Sequence, residues 1–492
     1  MSSQSYFMRN NGVIAAAQVI WQSLALLIVY RVGAEAAGVG ALGAWSTAVA
    51  LSGLIILADL GVTDVMVREV AHASGLRDWP RVKGLCRDAA RFVPLAVGAA
   101  GLLVAPVIAH VMHVLTPSLD DRATAALAAG AVATAWLTVL GVGVAGVLEA
   151  FNRYDLKAAA AFCSGALSIV AALGAARVAP DLALVFALAT GAAANVLLLL
   201  VAALYLLRKL PGEPRPPTKP ERATLLRLAW NARVGSLATL GLDPVVRFLL
   251  VRFGGAEAAG LYEIAYRLVF QLRAVLVAST QVIVPRLTHE RARGSAAGMT
   301  AVSELTASLL RLAGPTLWGI LIALPLLSAA LLGRVDGMLL IYGLLLTLAW
   351  LVNAIAVPAY FGNFVDGALR TNRTSHLVML VGAAALGTSA GMFFSGLGVV
   401  VGTSLAVALG TAVILVSRRH EIAKVRLDVT RGDYAVNAVG LLGAAVVYFA
   451  AAAAVPLDRQ VYVALLVAAL YAAVSTRFVA RLVREHLRQV AG

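Results

Sequence analysis

The sequence predicts an all-α polytopic membrane protein with about fourteen transmembrane helices. They are expected to form two parallel six-helix lobes plus two C-terminal helices, with both termini on the cytoplasmic side. Three observations carry this expectation: the composition, the spacing of the apolar runs, and a short phrase written twice.

Of 492 residues, 61% are hydrophobic and only 13% charged, with a mean hydropathy of +0.88. Soluble domains carry roughly 25% charged residues, so a soluble fold of this length could not cover its apolar surface. Runs of about 20 apolar residues match the roughly 30 Å of bilayer hydrocarbon. They place the first six spans at 12–32, 36–58, 92–115, 123–148, 158–177 and 182–207. The next six fall at 230–252, 258–283, 303–331, 337–361, 376–396 and 398–417, and a final pair at 434–455 and 460–480. The division between the eleventh and twelfth rests only on FFSGLGV (393–399). Helices are required because a short-looped chain in hydrocarbon must satisfy its own backbone.

Orientation follows from basic residues, which concentrate on the cytoplasmic side. With the N-terminus inside, and residues at the span edges counted with the loop they adjoin, 29 of the 40 Lys and Arg fall on the cytoplasmic side, 6 on the outer side and 5 within spans. The net charge of +15 is therefore a topology signal, with attraction to anionic bilayer lipid added. Nucleic acid is not an expected partner. The opening MSSQSYFMRNNG shows no small-residue cleavage site after a short apolar core, so the first span is expected to be retained.

The repeated phrase is RVGAEAAG (31–38) and RFGGAEAAG (252–260). Each copy closes an outward-going helix and opens the next, and Asn11 and Asn231 precede them at similar offsets. Six spans separate the copies, so the repeats run parallel, one known transporter plan. The expected division is 1–207 for the first lobe and 208–229 for a cytoplasmic linker. The second lobe takes 230–417, and 418–492 holds the extra helices and tail. The linker RKLPGEPRPPTKPERATLL (208–226) is Pro-rich and charged, hence extended.

Cys86 lies in a cytoplasmic segment and Cys163 within the fifth span, so no disulfide is expected. His110 and His113 have no third ligand nearby, and no metal or cofactor is expected. Every outer loop is short, and no nucleophile with a base, carboxylate pair or Gly-rich phosphate loop appears. No catalytic residue is assigned, and an enzyme is not expected.

Three stretches carry a family resemblance. They are DLGVTDVMVREVAH (59–72), GVLEAFNRYDLKAAA (146–160) and GAEAAGLYEIAYRLVFQLRAVLVASTQVIVPRLTHE (255–290). In order and spacing they resemble the polysaccharide-flippase branch of the multidrug/oligosaccharidyl-lipid/polysaccharide (MOP) exporter superfamily, over nearly the whole chain. The resemblance implies a V-shaped pair of lobes that open alternately to the two membrane faces. It also implies a substrate, a glycan on a polyprenyl pyrophosphate, moved to the outer leaflet of a bacterial inner membrane for O-antigen, capsule or exopolysaccharide synthesis. A glycan polymerase and other pathway proteins are implied partners; two lobes in one chain make a monomer sufficient.

Apart from those at span edges counted with the adjoining loops, five arginines lie within spans, all in the second lobe: Arg233, Arg247, Arg267, Arg273 and Arg311. Arg267 is ten residues past Glu257, about 15 Å deep at 1.5 Å per residue. Each central arginine costs roughly 2.5–3.5 kcal/mol to insert. Asp243 with Arg247 and Glu263 with Arg267 are i,i+4 partners, and Glu304 is a third acid. Two cations remain in excess. The expectation is that the unpaired ones, led by Arg273 and Arg311, line the interlobe cavity and grip the anionic head group. A guanidinium fork suits phosphate oxygens. Replacing Arg267 or Arg273 with Ala is then expected to abolish transport with folding intact. The same arginines can instead be structural, as glue between helices or by snorkelling from near the ends.

In the first lobe Gln18 and Gln22 share a helix face, with Trp21 beside them. They are candidates for sugar hydroxyl contacts, with Trp21 stacking on a ring; interhelical glue is the alternative. Arg68 and Glu69 are candidates for a cytoplasmic gate pair. Two rival functions stay open. A cation-coupled multidrug exporter of the same superfamily would want a buried first-lobe carboxylate, which the first span lacks. A lipid II flippase would want arginines in the first span, where Gln18 and Gln22 stand.

Overall fold

The computed structural model describes residues 3–117, 120–151, 153–281, 297–427, 430–453 and 455–491. Among them every regular element is helical. The helices are α1 (Ser3–Ser52), α2 (Val62–Gly75), α3 (Trp79–Leu115), α4 (Asp121–Ala150), α5 (Tyr154–Val178), α6 (Ala183–Arg208) and α7 (Lys219–Gln281). They continue with α8 (Ala297–Leu332), α9 (Gly337–Ile355), α10 (Val357–Val365), α11 (Leu369–Ser417), α12 (Arg419–Ile422), α13 (Arg431–Ala452) and α14 (Leu457–Ala491). Ten described stretches are long and apolar enough to cross a bilayer. This is a multi-pass membrane protein.

Three long helices contain a backbone break. α1 breaks at Gly38 (φ 84°, ψ 167°) and α7 at Gly255 (φ 79°, ψ 173°). α11 breaks at Phe394 and Ser395, inside FFSGLGV. The two glycines sit within the two copies of the repeated phrase, at its last position in the first copy and at the first Gly of GAEAAG in the second. Their backbone conformation is nearly the same and is open to glycine almost alone. A Cβ at either position would meet nothing within 4 Å, so any penalty there is in the backbone itself. Gly255→Ala is expected to destabilise the fold by about 1–3 kcal/mol, read as a lowered Tm; an unchanged Tm would contradict the strained break.

The chain packs into two compact units, residues 1–247 with 255–257, and residues 248–254 with 258–492. In the first unit α5 packs on α6 and α1, and α4 on α3 and α6. One buried cluster joins Val70, Val82, Leu85, Val147, Leu148 and Leu199. A second gathers Ile55, Val93, Val97 and Val139. In the second unit α8 packs on α14, α13 and α9, and α9 on α11. Helix starts follow the sequence: Asp78, Asp120 and Asp336 each accept first-turn N–H groups, and Thr430 forms a capping box with Asp433.

The linker is extended over 211–218, and it is also fastened to the first unit. The Arg215 N–H donates to the Pro80 carbonyl at 2.8 Å, and Lys83 Nζ donates to the Gly212 carbonyl at 2.9 Å. Arg215 pairs with Asp78 at 2.6 Å and Arg222 with Asp88 at 2.7 Å. Gly84 makes this approach possible, since a Cβ there would lie 1.8 Å from the Arg215 oxygen. Gly84→Leu is expected to release the linker and expose it to proteolysis between 210 and 218, visible as new fragments in limited digestion. An unchanged digestion pattern would mean the strap is not held by this contact.

Candidate functional site

The longest described helix is α7, with 63 residues, and it carries Arg247, Arg267 and Arg273. Its segment after Gly255 places Tyr262, Tyr266, Phe270 and Arg273 at intervals of four, four and three, which is one helix face. Tyr262 stacks on Tyr266 (5.5 Å between centroids) and Tyr266 on Phe270 (5.2 Å), while Trp350 of α9 meets Phe270 edge-on at 5.9 Å. The Arg273 guanidinium ends this row. It lies 4.9 Å from the centroid of Trp350 and 5.5 Å from that of Phe270. Cation–π contacts of this kind contribute about 0.5–2 kcal/mol, more where water is excluded.

Two N–H groups of Arg273, Nε and Nη2, donate to Asn353 Oδ1 at 3.0 and 2.7 Å. Asn353 Nδ2 donates in turn to Thr411 Oγ1 at 3.0 Å. One chain of hydrogen bonds thus ties α7, α9 and α11 and fixes where the guanidinium points. All these partners are neutral. Among the described residues no carboxylate lies within ion-pair distance of Arg273. Towards Thr316, Ile320, Thr347 and Trp350 the adjoining space is about 10 Å³, room for one water at most. A larger anion would have to meet the part of the side chain left exposed.

The other span arginines differ. Arg267 Nε donates to Glu263 Oε1 at 2.5 Å; Glu263 is 0% exposed and Arg267 36%. Arg247, 3% exposed, lies 3.3 Å from Asp243. Both i,i+4 pairings expected from the sequence are present. Arg311 corrects an expectation: it is not unpaired, because Nε and Nη2 reach Asp433 at 3.2 and 3.3 Å, tying α8 to α13. Asp433 was missed because it stands 122 residues away and outside any local pattern. The side chains of Arg233, Asn11 and Asn231 lie outside the described residues.

In the first unit Gln18 and Gln22 line a cavity of about 410 Å³ together with Thr63, Thr138 and Asn195. Glu149 and Lys157 also line it, paired at 2.5 Å across the turn between α4 and α5. The turn motif therefore holds two ion pairs, the second being Arg153 with Asp155 at 2.7 Å. That hydrogen bond to Arg153 is the main force holding the Asp155 carboxyl below its usual range. The Glu149–Lys157 pair escaped sequence reasoning because an eight-residue separation across a corner matches no helix period.

Trp21 is packed against α5: its Nε1–H donates to the Phe162 carbonyl at 3.0 Å, and its ring stacks on Phe162 at 5.7 Å. Gly165 leaves the space the indole fills, a contact between helices of the kind the glue alternative describes. Arg68 and Glu69, adjacent on α2, point apart. Glu69 meets Arg81 at 3.4 Å, Arg81 also approaches Glu221 at 3.7 Å, and Arg68 is exposed.

A solved structure described as the lipid II flippase MurJ in an inward closed conformation superimposes with a TM-score of 0.66. It is 12% identical and covers 96% of this chain and 99% of its own. An inward-facing multidrug resistance MATE family transporter of the MOP superfamily matches with a TM-score of 0.62, at 16% identity, over 82% and 95% of the two chains. The MATE multidrug transporter DinF-BH matches with a TM-score of 0.56, at 11% identity, over 83% and 96%. None of the curated proteins matches by sequence. The chain shares the fold of these MurJ and MATE structures. The family model for polysaccharide biosynthesis proteins matches residues 7–289, more than half the chain, and the protein belongs to that family.

Proposed function

We propose that this protein is a flippase for a glycan carried on a polyprenyl pyrophosphate. It moves the lipid-linked oligosaccharide from the cytoplasmic to the outer leaflet of a bacterial inner membrane by alternating access, and it performs no covalent chemistry. The product feeds cell-surface polysaccharide assembly, with a polymerase acting next. The observation that carries this reading is Arg273: a half-buried cation of α7, aimed by Asn353, flanked by Trp350 and Phe270, and without a carboxylate among the described residues. A pyrophosphate supplies the charge that such a group lacks, and a guanidinium fork matches phosphate oxygens geometrically.

Arg267 and Arg247 each share their charge with an acid that can change partner as the protein cycles. Arg311, held by Asp433, serves as a structural tie. Gln18 and Gln22 are suited to sugar hydroxyls, and the Glu149–Lys157 pair leaves their cavity without net charge.

The test uses the purified chain in liposomes and compares three substrates: a labelled polyprenyl-pyrophosphate oligosaccharide, lipid II, and a cationic dye. Exchange of the oligosaccharide lipid between leaflets, with the dye unmoved, is the expected result. Selective movement of lipid II or of the dye would replace this reading with the corresponding rival.

A further inference from the structure

We propose that the first unit holds an anionic phospholipid of the cytoplasmic leaflet in a groove between α3, α4 and α6, distinct from the arginines of α7. The groove encloses about 730 Å³. Its walls are apolar, with Val139, Val144 and Val147 from α4 and Val196, Leu200 and Leu204 from α6. Its basic residues gather at one end: Lys83, Arg87 and Arg91 near the start of α3, and Arg208 at the end of α6. That end adjoins the basic linker, which charge bias puts on the cytoplasmic side. From Val196 to Arg208 the wall extends about 18 Å at 1.5 Å per residue, slightly more than one leaflet of a roughly 30 Å core. Charge at the surface and hydrocarbon below is the order in which an anionic lipid presents itself.

The charge at this rim is available. The acids around it are taken: Asp78 pairs with Arg215, Asp88 with Arg222 and Glu69 with Arg81. No Asp or Glu is among the residues lining the groove. Arg87, Arg91 and Arg208 are exposed and, among the described residues, make no ion pair. Basic pockets between transmembrane helices on the cytoplasmic side recognise anionic head groups, each basic residue contributing about 1 kcal/mol. A resident phospholipid fits better than the transported lipid, because Thr63 is the one neutral hydroxyl or amide side chain among the lining residues. A sugar would find little to bind there. The lipid would also cover Leu200 and Leu204, which are 40% and 43% exposed, and would brace the α3 end to which the linker is strapped.

Native mass spectrometry of the purified full chain tests this, with phosphatidylglycerol, phosphatidylcholine, glycerol phosphate and a polyprenyl phosphate as probes. Phosphatidylglycerol is expected to bind at least tenfold more tightly than phosphatidylcholine, and glycerol phosphate not detectably. Changing Arg87, Arg91 and Arg208 to Gln should lower phosphatidylglycerol affinity by about fivefold per residue, the equivalent of about 1 kcal/mol each. Phosphatidylcholine binding by the same variants, unchanged, shows that the fold is intact. Leu204→Trp, which fills the apolar half, should weaken both lipids alike. Equal binding of the two phospholipids, or a preference that survives the triple change, would overturn the proposal. So would binding of glycerol phosphate as tight as that of the lipid, which would make this a free-phosphate site. A preference for polyprenyl phosphate over phosphatidylglycerol would overturn it in favour of the transported lipid. None of these results depends on whether the chain flips its glycan lipid.

Discussion

Arg273→Ala is expected to bind a lipid pyrophosphate about tenfold to a hundredfold more weakly than the wild type. A hydrogen bond to a charged group contributes about 1.5–3 kcal/mol, and Arg273 is the span cation whose described partners are all neutral. Its loss strands no acid and leaves Asn353 its bond to Thr411, but it removes both donors to the buried Asn353 Oδ1, so a stability loss of about 1–3 kcal/mol is expected alongside. Arg273→Lys should fall between, keeping the charge but losing the fork that holds Asn353 Oδ1 with two N–H groups. Binding of a labelled lipid pyrophosphate to purified protein measures the series. Equal affinities across it would remove Arg273 from the site.

Arg267→Ala has the second large effect, and it is on stability. The sequence suggests that this change spares folding. The structure argues otherwise, because Glu263 is fully buried with the Arg267 guanidinium 2.5 Å away. Removing one member of a buried pair destabilises by about 3–5 kcal/mol, since a charge loses its compensation in a place water reaches poorly. Thermal unfolding should show a much lower Tm for Arg267→Ala and substantial recovery for Arg267→Ala with Glu263→Gln. Loss of transport in the single variant would then reflect folding as well as substrate. A Tm equal to the wild type's would contradict the pair's structural weight.

Much of the fold was legible because membrane insertion imposes simple rules. Apolar runs of about 20 residues must be helices, and the repeated phrase marked two real backbone breaks, at Gly38 and Gly255. Local pairs were legible for the same reason: Asp243/Arg247 and Glu263/Arg267 are one turn apart, and helix geometry brings them together. What was not legible came from tertiary packing. Asp433 reaches Arg311 from 122 residues away, and Asn353 reaches Arg273 from 80. Trp21 shares a helix with Gln18 and Gln22, but which face meets α5 is decided by the space at Gly165 on another helix. Glu149 and Lys157 were both visible in a quoted motif, yet their pairing depends on the corner between α4 and α5. The linker was read as extended, and its strapping to α3 depended on a single small residue, Gly84.

The most direct measurement of the central claim is leaflet exchange of a labelled polyprenyl-pyrophosphate oligosaccharide in liposomes, by the wild type and Arg273→Ala side by side. Rapid exchange is expected with the wild type and exchange reduced to the protein-free rate with Arg273→Ala, at matched amounts of folded protein. Equal exchange by both would keep a flippase and contradict the assignment of its pyrophosphate site.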